Sequence, residues 1–91
     1  MERLEITVHG KVQGVWFRKF THKKAKELGL HGYVTNQNNG TVFIEATGEK
    51  KELDIFIHWL ENKGSPLSKV TSVAIIKLNT EKQFNSFEIK R

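Results

Sequence analysis

The order in which apolar residues change their spacing restricts the fold of this 91-residue chain more than any other feature. Leu4, Ile6 and Val8 alternate with polar residues, as in a strand with one buried face. A helical spacing follows, then two strand-like stretches, a second helical spacing and two final strand-like stretches. Beyond the first strand, strands are predicted over residues 31–36, 42–46, 70–78 and 84–89. The chain thus reads β-α-β-β-α-β with an added short C-terminal strand.

Two segments have the apolar spacing of an amphipathic helix. The first ends near Gly29, a residue that suits a helix C-terminus, and Gly64 and Pro66 stop the second. Glu49 and Glu52 lie in the first turn of the second helix, where negative charge is favoured. The residues of the two apolar stripes are Phe17, Thr21, Ala25 and Leu28, followed by Leu53, Phe56, Ile57 and Leu60.

This element order is typical of a ferredoxin-like α+β sandwich, a split β-α-β arrangement with an antiparallel sheet and two helices on one face. We expect residues 1–91 to form a single domain. Asn39-Gly40 predicts a type I′ hairpin turn, which needs positive φ at both central positions. Because a crossover helix joins parallel strands, the first two strands should end at the same edge of the sheet. The loop 11–18 and Asn36 are therefore expected to be close in space.

Composition restricts the cellular setting and the partners. The chain has no cysteine, which is consistent with a reducing cytoplasm, and it shows neither a signal peptide nor a membrane-spanning run. Its net charge of +5 favours anionic partners, phosphorylated metabolites and nucleic acids alike. The four histidines lack the spacing of metal ligands, so we expect neither a metal nor a cofactor. A monomer is the default expectation.

The stretch GKVQGVWFR, residues 10–18, joins the first strand to the first helix and carries the strongest functional signal. Gly10 and Gly14 permit backbone conformations in which successive N–H groups form a concave anion-binding nest. The start of the helix adds free N–H groups and a partial positive charge. Arg18 offers a planar fork that can hold two phosphate oxygens. Three apolar side chains are expected to anchor the loop in the core: Val12, Val15 and Phe17.

GKVQGVWFR resembles the acylphosphatase signature G-x-V-Q-G-V-x-F-R. AKELGLHGYVTNQNNGTV is similar to that family's second block, A-x-x-L-G-L-x-G-x-V-x-N followed by a turn and G-x-V. The resemblance extends over essentially the whole chain and implies the same ferredoxin-like fold. It also implies a metal-independent hydrolase that splits the carboxyl–phosphate bond of a small acyl phosphate. The products would be a carboxylate and inorganic phosphate, and the phosphate would be a competitive inhibitor.

By this resemblance, Arg18 and the main-chain N–H groups of the loop hold the phosphoryl group, and the Asn36 side-chain amide orients the attacking water. The leaving carboxylate is weakly basic and needs no general acid, so few other side chains are required. Trp16 occupies a variable position of the signature, where it could cover the pocket or contact the acyl group. The loop donors are the N–H groups of Gly14, Val15, Trp16, Phe17 and Arg18.

Two other functions are compatible with the same fold. RNA-recognition domains share it but place several aromatic residues on a central strand, where this chain has only Phe43, with Glu45 on the same face. A carbamoyl-phosphate-handling accessory domain of hydrogenase maturation proteins also resembles acylphosphatases, although such domains belong to longer chains. We therefore expect a small-molecule substrate and no nucleic-acid or membrane partner.

Overall fold

The computed structural model describes residues 1–91 and contains five strands and two helices in the predicted order. The ferredoxin-like α+β fold is confirmed. Neither helix has the length and hydrophobicity that crossing a lipid bilayer requires. The elements are β1 (Glu2–Lys11), α1 (Phe17–Glu27), β2 (His31–Asn36), β3 (Val42–Gly48), α2 (Lys50–Asn62), β4 (Lys69–Leu78) and β5 (Phe87–Lys90).

The sheet has the strand order β4-β1-β3-β2-β5, and β3 lies between β1 and β2. Both neighbours pair antiparallel with β3, so β1 and β2 run in the same direction. Val42 of β3 is the register partner of Val8 on one side and of Asn36 on the other. The C-terminal ends of β1 and β2 therefore lie at the same end of the sheet, as expected for a crossover connection.

The last strand differs from the prediction in its extent and its direction. β5 begins at Phe87 rather than Phe84 and pairs parallel with β2, whereas the sequence pattern predicts an antiparallel sheet. The reason is topological, because β4 lies at one edge of the sheet and β5 at the other. Residues 79–86 cross between these edges and reverse the chain direction. As a result, Lys90 is the register partner of Thr35, next to the end of β2.

Both helices bury their predicted stripes against one face of the sheet. Leu28 and Ile57, at the margins of the stripes, are only partly buried. The sheet contributes Ile6, Val8 and Ile44, which are fully buried, and burial of a side chain of this size stabilises the fold by roughly 1.5–3 kcal/mol. The helix residues of this core are Phe17, Thr21 and Ala25 from α1, and Leu53, Phe56 and Leu60 from α2.

The β2–β3 hairpin is present, but the type I′ turn predicted for it is wrong. Gln37 N–H donates to Thr41 O (2.9 Å) and Gly40 N–H donates to Gln37 O (3.1 Å), so three residues lie between the hydrogen-bonded residues Gln37 and Thr41. Gly40 has φ +89°, whereas Asn39 lacks the positive φ of a type I′ turn. This pattern matches a type I turn followed by a left-handed glycine. Asn39 instead stabilises the loop by accepting hydrogen bonds from Thr41 N–H (3.1 Å) and Oγ (2.6 Å) through its Oδ1.

The face of the sheet that the helices leave uncovered carries a buried ion pair. Glu45 is 3% exposed, and its Oε2 accepts a hydrogen bond from Arg3 Nε at 2.6 Å. Burial, followed by the neighbouring Glu45 carboxylate, raises the pKa of Tyr33 above its usual value. Glu45 was expected on this face from strand alternation, but its burial beneath Arg3 is a property of the folded sheet.

Candidate functional site

A cavity of about 550 Å³ lies at the end of the sheet where β1 and β2 finish and α1 begins. Arg18 and Asn36 both line it, although they belong to different elements. Lys19 and Arg91 add two further cations, and no acidic residue contributes to the lining. The cavity is therefore electropositive and suited to an anion. Of the predicted loop donors, Gly14, Trp16, Phe17 and Arg18 line the cavity, whereas Val15 does not.

The loop that connects β1 to α1 has an unusual backbone. Gly14 has φ +73°, and Trp16 has φ +66°, the only positive value at a residue other than glycine in this chain. None of the N–H groups of residues 14–18 donates a hydrogen bond to a protein acceptor. Alternating left-handed and right-handed residues turn successive N–H groups toward one side, which is the geometry of an anion-binding nest. Five consecutive main-chain N–H groups thus have no acceptor within the protein.

The N-terminus of α1 lacks the features that usually satisfy a helix start. Trp16 stands at the N-cap position without a side-chain hydrogen bond, and the first turn contains no acidic residue. The free N–H groups and the helix dipole together favour an anion at this point. The side chain of Trp16 is 67% exposed, and Lys19 Nζ lies 5.6 Å from the centre of its ring.

The loop is held rigidly by its apolar side chains and by two polar contacts. Val12, Val15 and Phe17 are all at most 4% exposed, which confirms the predicted anchoring. Gln13 Nε2 donates to the carbonyl oxygens of Gln37 (2.7 Å) and Thr41 (2.9 Å), both in the β2–β3 connection.

A second polar contact comes from the α2–β4 connection, where Ser65 Oγ donates to Val15 O at 2.6 Å. Neither Gln13 nor Ser65 is among the residues predicted from the sequence. The polar side chain of Gln13 among apolar neighbours is a local signal, whereas nothing in the sequence near Ser65 indicates that it contacts the loop.

Arg18 is half-buried at the first turn of α1. Its Nη1 donates to the Lys90 carbonyl oxygen at 3.3 Å, and it forms no ion pair with a carboxylate. Most of its N–H groups are therefore free to bind a ligand. The contact depends on the parallel placement of β5, so the sequence pattern did not predict it.

Asn36 is the last residue of β2 and lines the same cavity as the start of α1. Its Oδ1 is buried and has no hydrogen-bond donor, and its Nδ2 donates to no protein acceptor. An unpaired buried acceptor of this kind is unfavourable by roughly 1–3 kcal/mol. The amide is therefore held by packing alone, and its Nδ2, which is not among the buried atoms, remains able to donate to a ligand or a water molecule.

The chain contains no group of three or more His, Cys, Asp or Glu side chains placed to hold a metal ion. The geometry instead combines a row of main-chain donors, one guanidinium and one carboxamide around a single cavity. Such a set can bind a tetrahedral dianion and place a water molecule beside it.

Comparison with known proteins identifies one family. A model of the Acylphosphatase family matches residues 4–89. The acylphosphatase of Archaeoglobus fulgidus is 46% identical over 89 residues that cover 98% of both chains. The acylphosphatase of Thermotoga maritima is 43% identical over 90 residues, which cover 99% of this chain and 98% of the relative. The crystal structure of acylphosphatase from Bacillus subtilis superposes with a TM-score of 0.96 at 36% identity, with both chains fully covered.

Proposed function

Because the chain belongs to the acylphosphatase family, we propose that its cavity binds the phosphoryl group of an acyl phosphate through Arg18 and the N–H groups of residues 14–18. The protein hydrolyses the carboxyl–phosphate bond of such compounds and releases a carboxylate and inorganic phosphate. The observation that carries the assignment of residues is the run of five unpaired N–H donors beside a guanidinium that has no carboxylate partner.

Stabilisation of phosphoryl charge is the main requirement of this reaction. In the transition state, negative charge spreads over the three equatorial oxygens of the transferred group. The loop N–H groups and the Arg18 guanidinium are fixed donors around the place where these oxygens bind, and preorganised donors of this kind lower the barrier. The leaving group is a carboxylate with a pKa of roughly 4–5, so it departs without protonation. The proposal needs no metal or cofactor in any step.

Asn36 is assigned the placement of the attacking water. Its Nδ2 can donate to a water molecule, which leaves the second lone pair of the water oxygen for attack on phosphorus. Asn36 cannot act as a strong base, so a phosphoryl oxygen takes the water proton as the P–O bond to the carboxylate breaks. Its contribution is positional, and holding two reactants in line can lower a barrier by several kcal/mol.

Inorganic phosphate presents the same tetrahedral oxygens as the substrate, so we expect it to bind the same donors and to inhibit competitively. The chain is proposed to act as a monomer in the cytoplasm, as a single domain over residues 1–91. Ile89 and Arg91 also line the cavity.

Hydrolysis of benzoyl phosphate tests the assignment. Arg18→Ala should lower turnover by at least ~10²-fold, the scale for loss of one preorganised donor. Asn36→Ala should lower kcat strongly while it changes the inhibition constant of inorganic phosphate little. Lys23→Ala removes one exposed positive charge from α1 away from the cavity and serves as the charge control. Turnover of Arg18→Ala within a few-fold of wild type would show that the phosphoryl group binds elsewhere.

A further inference from the structure

The connection between α2 and β4 contacts the phosphate-binding loop at a buried point. Ser65 is 2% exposed, and its Oγ donates a 2.6 Å hydrogen bond to the carbonyl oxygen of Val15. No main-chain N–H donates to that carbonyl; at the start of α1, Phe20 N–H donates to the Trp16 carbonyl instead. The orientation of the Val15 carbonyl therefore depends on a residue 50 positions away.

The turn that carries Ser65 is itself rigid. Ser65 N–H donates to Ser68 Oγ (3.0 Å), and Ser68 donates back to Ser65 O through both its Oγ (2.7 Å) and its N–H (3.0 Å). Gly64 packs against the loop as well, since a Cβ at this position would lie 2.9 Å from the Phe17 ring. The hydroxyl of Ser65 thus meets the loop from a fixed support.

The hydrogen bond also determines where a neighbouring donor points. The carbonyl of Val15 and the N–H of Trp16 belong to one peptide unit, which is planar and trans, so the two groups point in opposite directions. Fixing the carbonyl toward Ser65 directs the Trp16 N–H away from it, and Trp16 lines the cavity. We propose that Ser65 is a positioning residue that holds the Trp16 N–H in the orientation that binds the phosphoryl group. This inference rests on the proposed phosphate-binding role of the loop.

The backbone of Trp16 explains why such a support is needed. Its φ of +66° lies in the left-handed region, which is unfavourable for a residue that has a Cβ. Rotation of the Val15–Trp16 peptide by half a turn would bring φ of Trp16 to a negative value and relieve this strain. The same rotation would turn the N–H out of the nest. Ser65 opposes the rotation because the rotated carbonyl could no longer accept its hydrogen bond.

Kinetics of Ser65→Ala provide the first test. The variant should lower kcat/KM for benzoyl phosphate by about tenfold or more, and it should weaken inhibition by inorganic phosphate to a similar degree, short of the ~10²-fold for a donor that is removed. Ser72→Ala is the matched control, since it removes a serine hydroxyl from an exposed position of β4, outside the turn that carries Ser65. It should leave kcat/KM within about twofold of wild type. Wild-type kcat/KM and wild-type inhibition by inorganic phosphate in Ser65→Ala would overturn the proposal.

Amide NMR tests the orientation directly. Titration of the wild-type protein with inorganic phosphate should shift the Trp16 N–H resonance downfield, together with those of the neighbouring loop donors. In Ser65→Ala this shift should be lost or much reduced at Trp16 and largely kept at Gly14. If Ser65→Ala does not fold, the wild-type titration still decides, because an unperturbed Trp16 amide at saturating phosphate contradicts the proposal.

A double-mutant cycle separates a positioning role from a purely structural one. Trp16→Gly removes the penalty of the left-handed conformation. Ser65→Ala should therefore cost a smaller factor in kcat/KM on the Trp16→Gly background than in wild type. Equal factors on both backgrounds contradict the mechanism. Wild type and Arg18→Ala, assayed in parallel, separate a failure of the proposed function from a failure of the inference about Ser65. Retained hydrolysis in Arg18→Ala overturns the proposed function. An active Ser65→Ala together with an inactive Arg18→Ala overturns only the inference about Ser65.

Discussion

Gln13 joins the loop between β1 and α1 to the β2–β3 hairpin, and its replacement gives a quantitative test of how that loop is held. Its Nε2 donates to Gln37 O at 2.7 Å and to Thr41 O at 2.9 Å. In Gln13→Ala both carbonyls keep a main-chain partner, since Gly40 N–H donates to the first and Gln37 N–H to the second. The variant therefore loses two hydrogen bonds but leaves no orphaned acceptor.

The size of the effect follows from this count. Two ordinary hydrogen bonds contribute about 2 kcal/mol to the free energy of unfolding. For a chain of this length, a loss of this size lowers Tm by roughly 10 °C. Gln13→Glu keeps the shape of the side chain but places a carboxylate against two carbonyl oxygens. At neutral pH it should therefore be less stable than Gln13→Ala, although it removes fewer atoms.

Which of the two Gln13 variants is the more stable also depends on pH. Repulsion from the carbonyls raises the pKa of the introduced carboxyl in the folded state above the unfolded value of about 4.3. The stability of Gln13→Glu is therefore highest below that unfolded value and is lost as pH rises through the raised one. A protonated acid can donate one of the two hydrogen bonds, so Gln13→Glu should approach or exceed Gln13→Ala in acid.

Urea denaturation followed by circular dichroism, for wild type and both variants across the acidic and neutral range, measures these differences. Lys51→Ala, an exposed position on α2, serves as a control for an ordinary surface change. If Gln13→Glu is as stable as wild type at neutral pH, Gln13 does not act as the donor that bridges the loop and the hairpin.

Three further predictions concern stability. Gly64→Ala should destabilise the fold by about 2 kcal/mol or more in urea denaturation, because its φ of +59° alone costs ~1–2 kcal/mol with a Cβ and the methyl would meet Phe17; a neutral effect would show that the turn relaxes freely. Thr21 Oγ is buried without a partner, so Thr21→Val should raise the free energy of unfolding by up to ~1 kcal/mol, seen as a higher Tm; a lower Tm would indicate an unrecognised partner. The raised pKa of Tyr33 means that its protonated phenol contributes to the free energy of unfolding. This contribution is fully present below the unfolded pKa of about 10 and is lost as pH rises through the raised value. Tyr33→Phe should therefore lose less stability than wild type in alkaline solution.

The residues that line the cavity were largely predictable because their placement follows from strand direction. Arg18 and Asn36 are brought together by the parallel course of β1 and β2, which any right-handed crossover imposes. The nest was predictable at Gly14, where a glycine follows a strand. It was less predictable at Trp16, whose side chain disfavours the φ that the structure gives it.

Other features depend on contacts between distant parts of the chain. The Asn39-Gly40 pair signals a hairpin, but the choice of turn depends on the hydrogen bonds that Asn39 makes with Thr41 inside the loop. The edge that β5 joins depends on the path of a loop that has no periodic pattern. Ser65 contacts Val15 only because two connections pack together at one end of the molecule.

The start of α1 has a thermodynamic consequence for how this protein should be handled. A helix whose first amides lack a capping partner forgoes stability of about 0.5–2 kcal/mol. An anion that binds there, at a concentration one hundred times its dissociation constant, would stabilise the folded protein by about 2.7 kcal/mol through mass action. The choice of buffer therefore changes the free energy of unfolding. The protein should have a higher Tm in phosphate buffer than in Tris at the same pH and ionic strength.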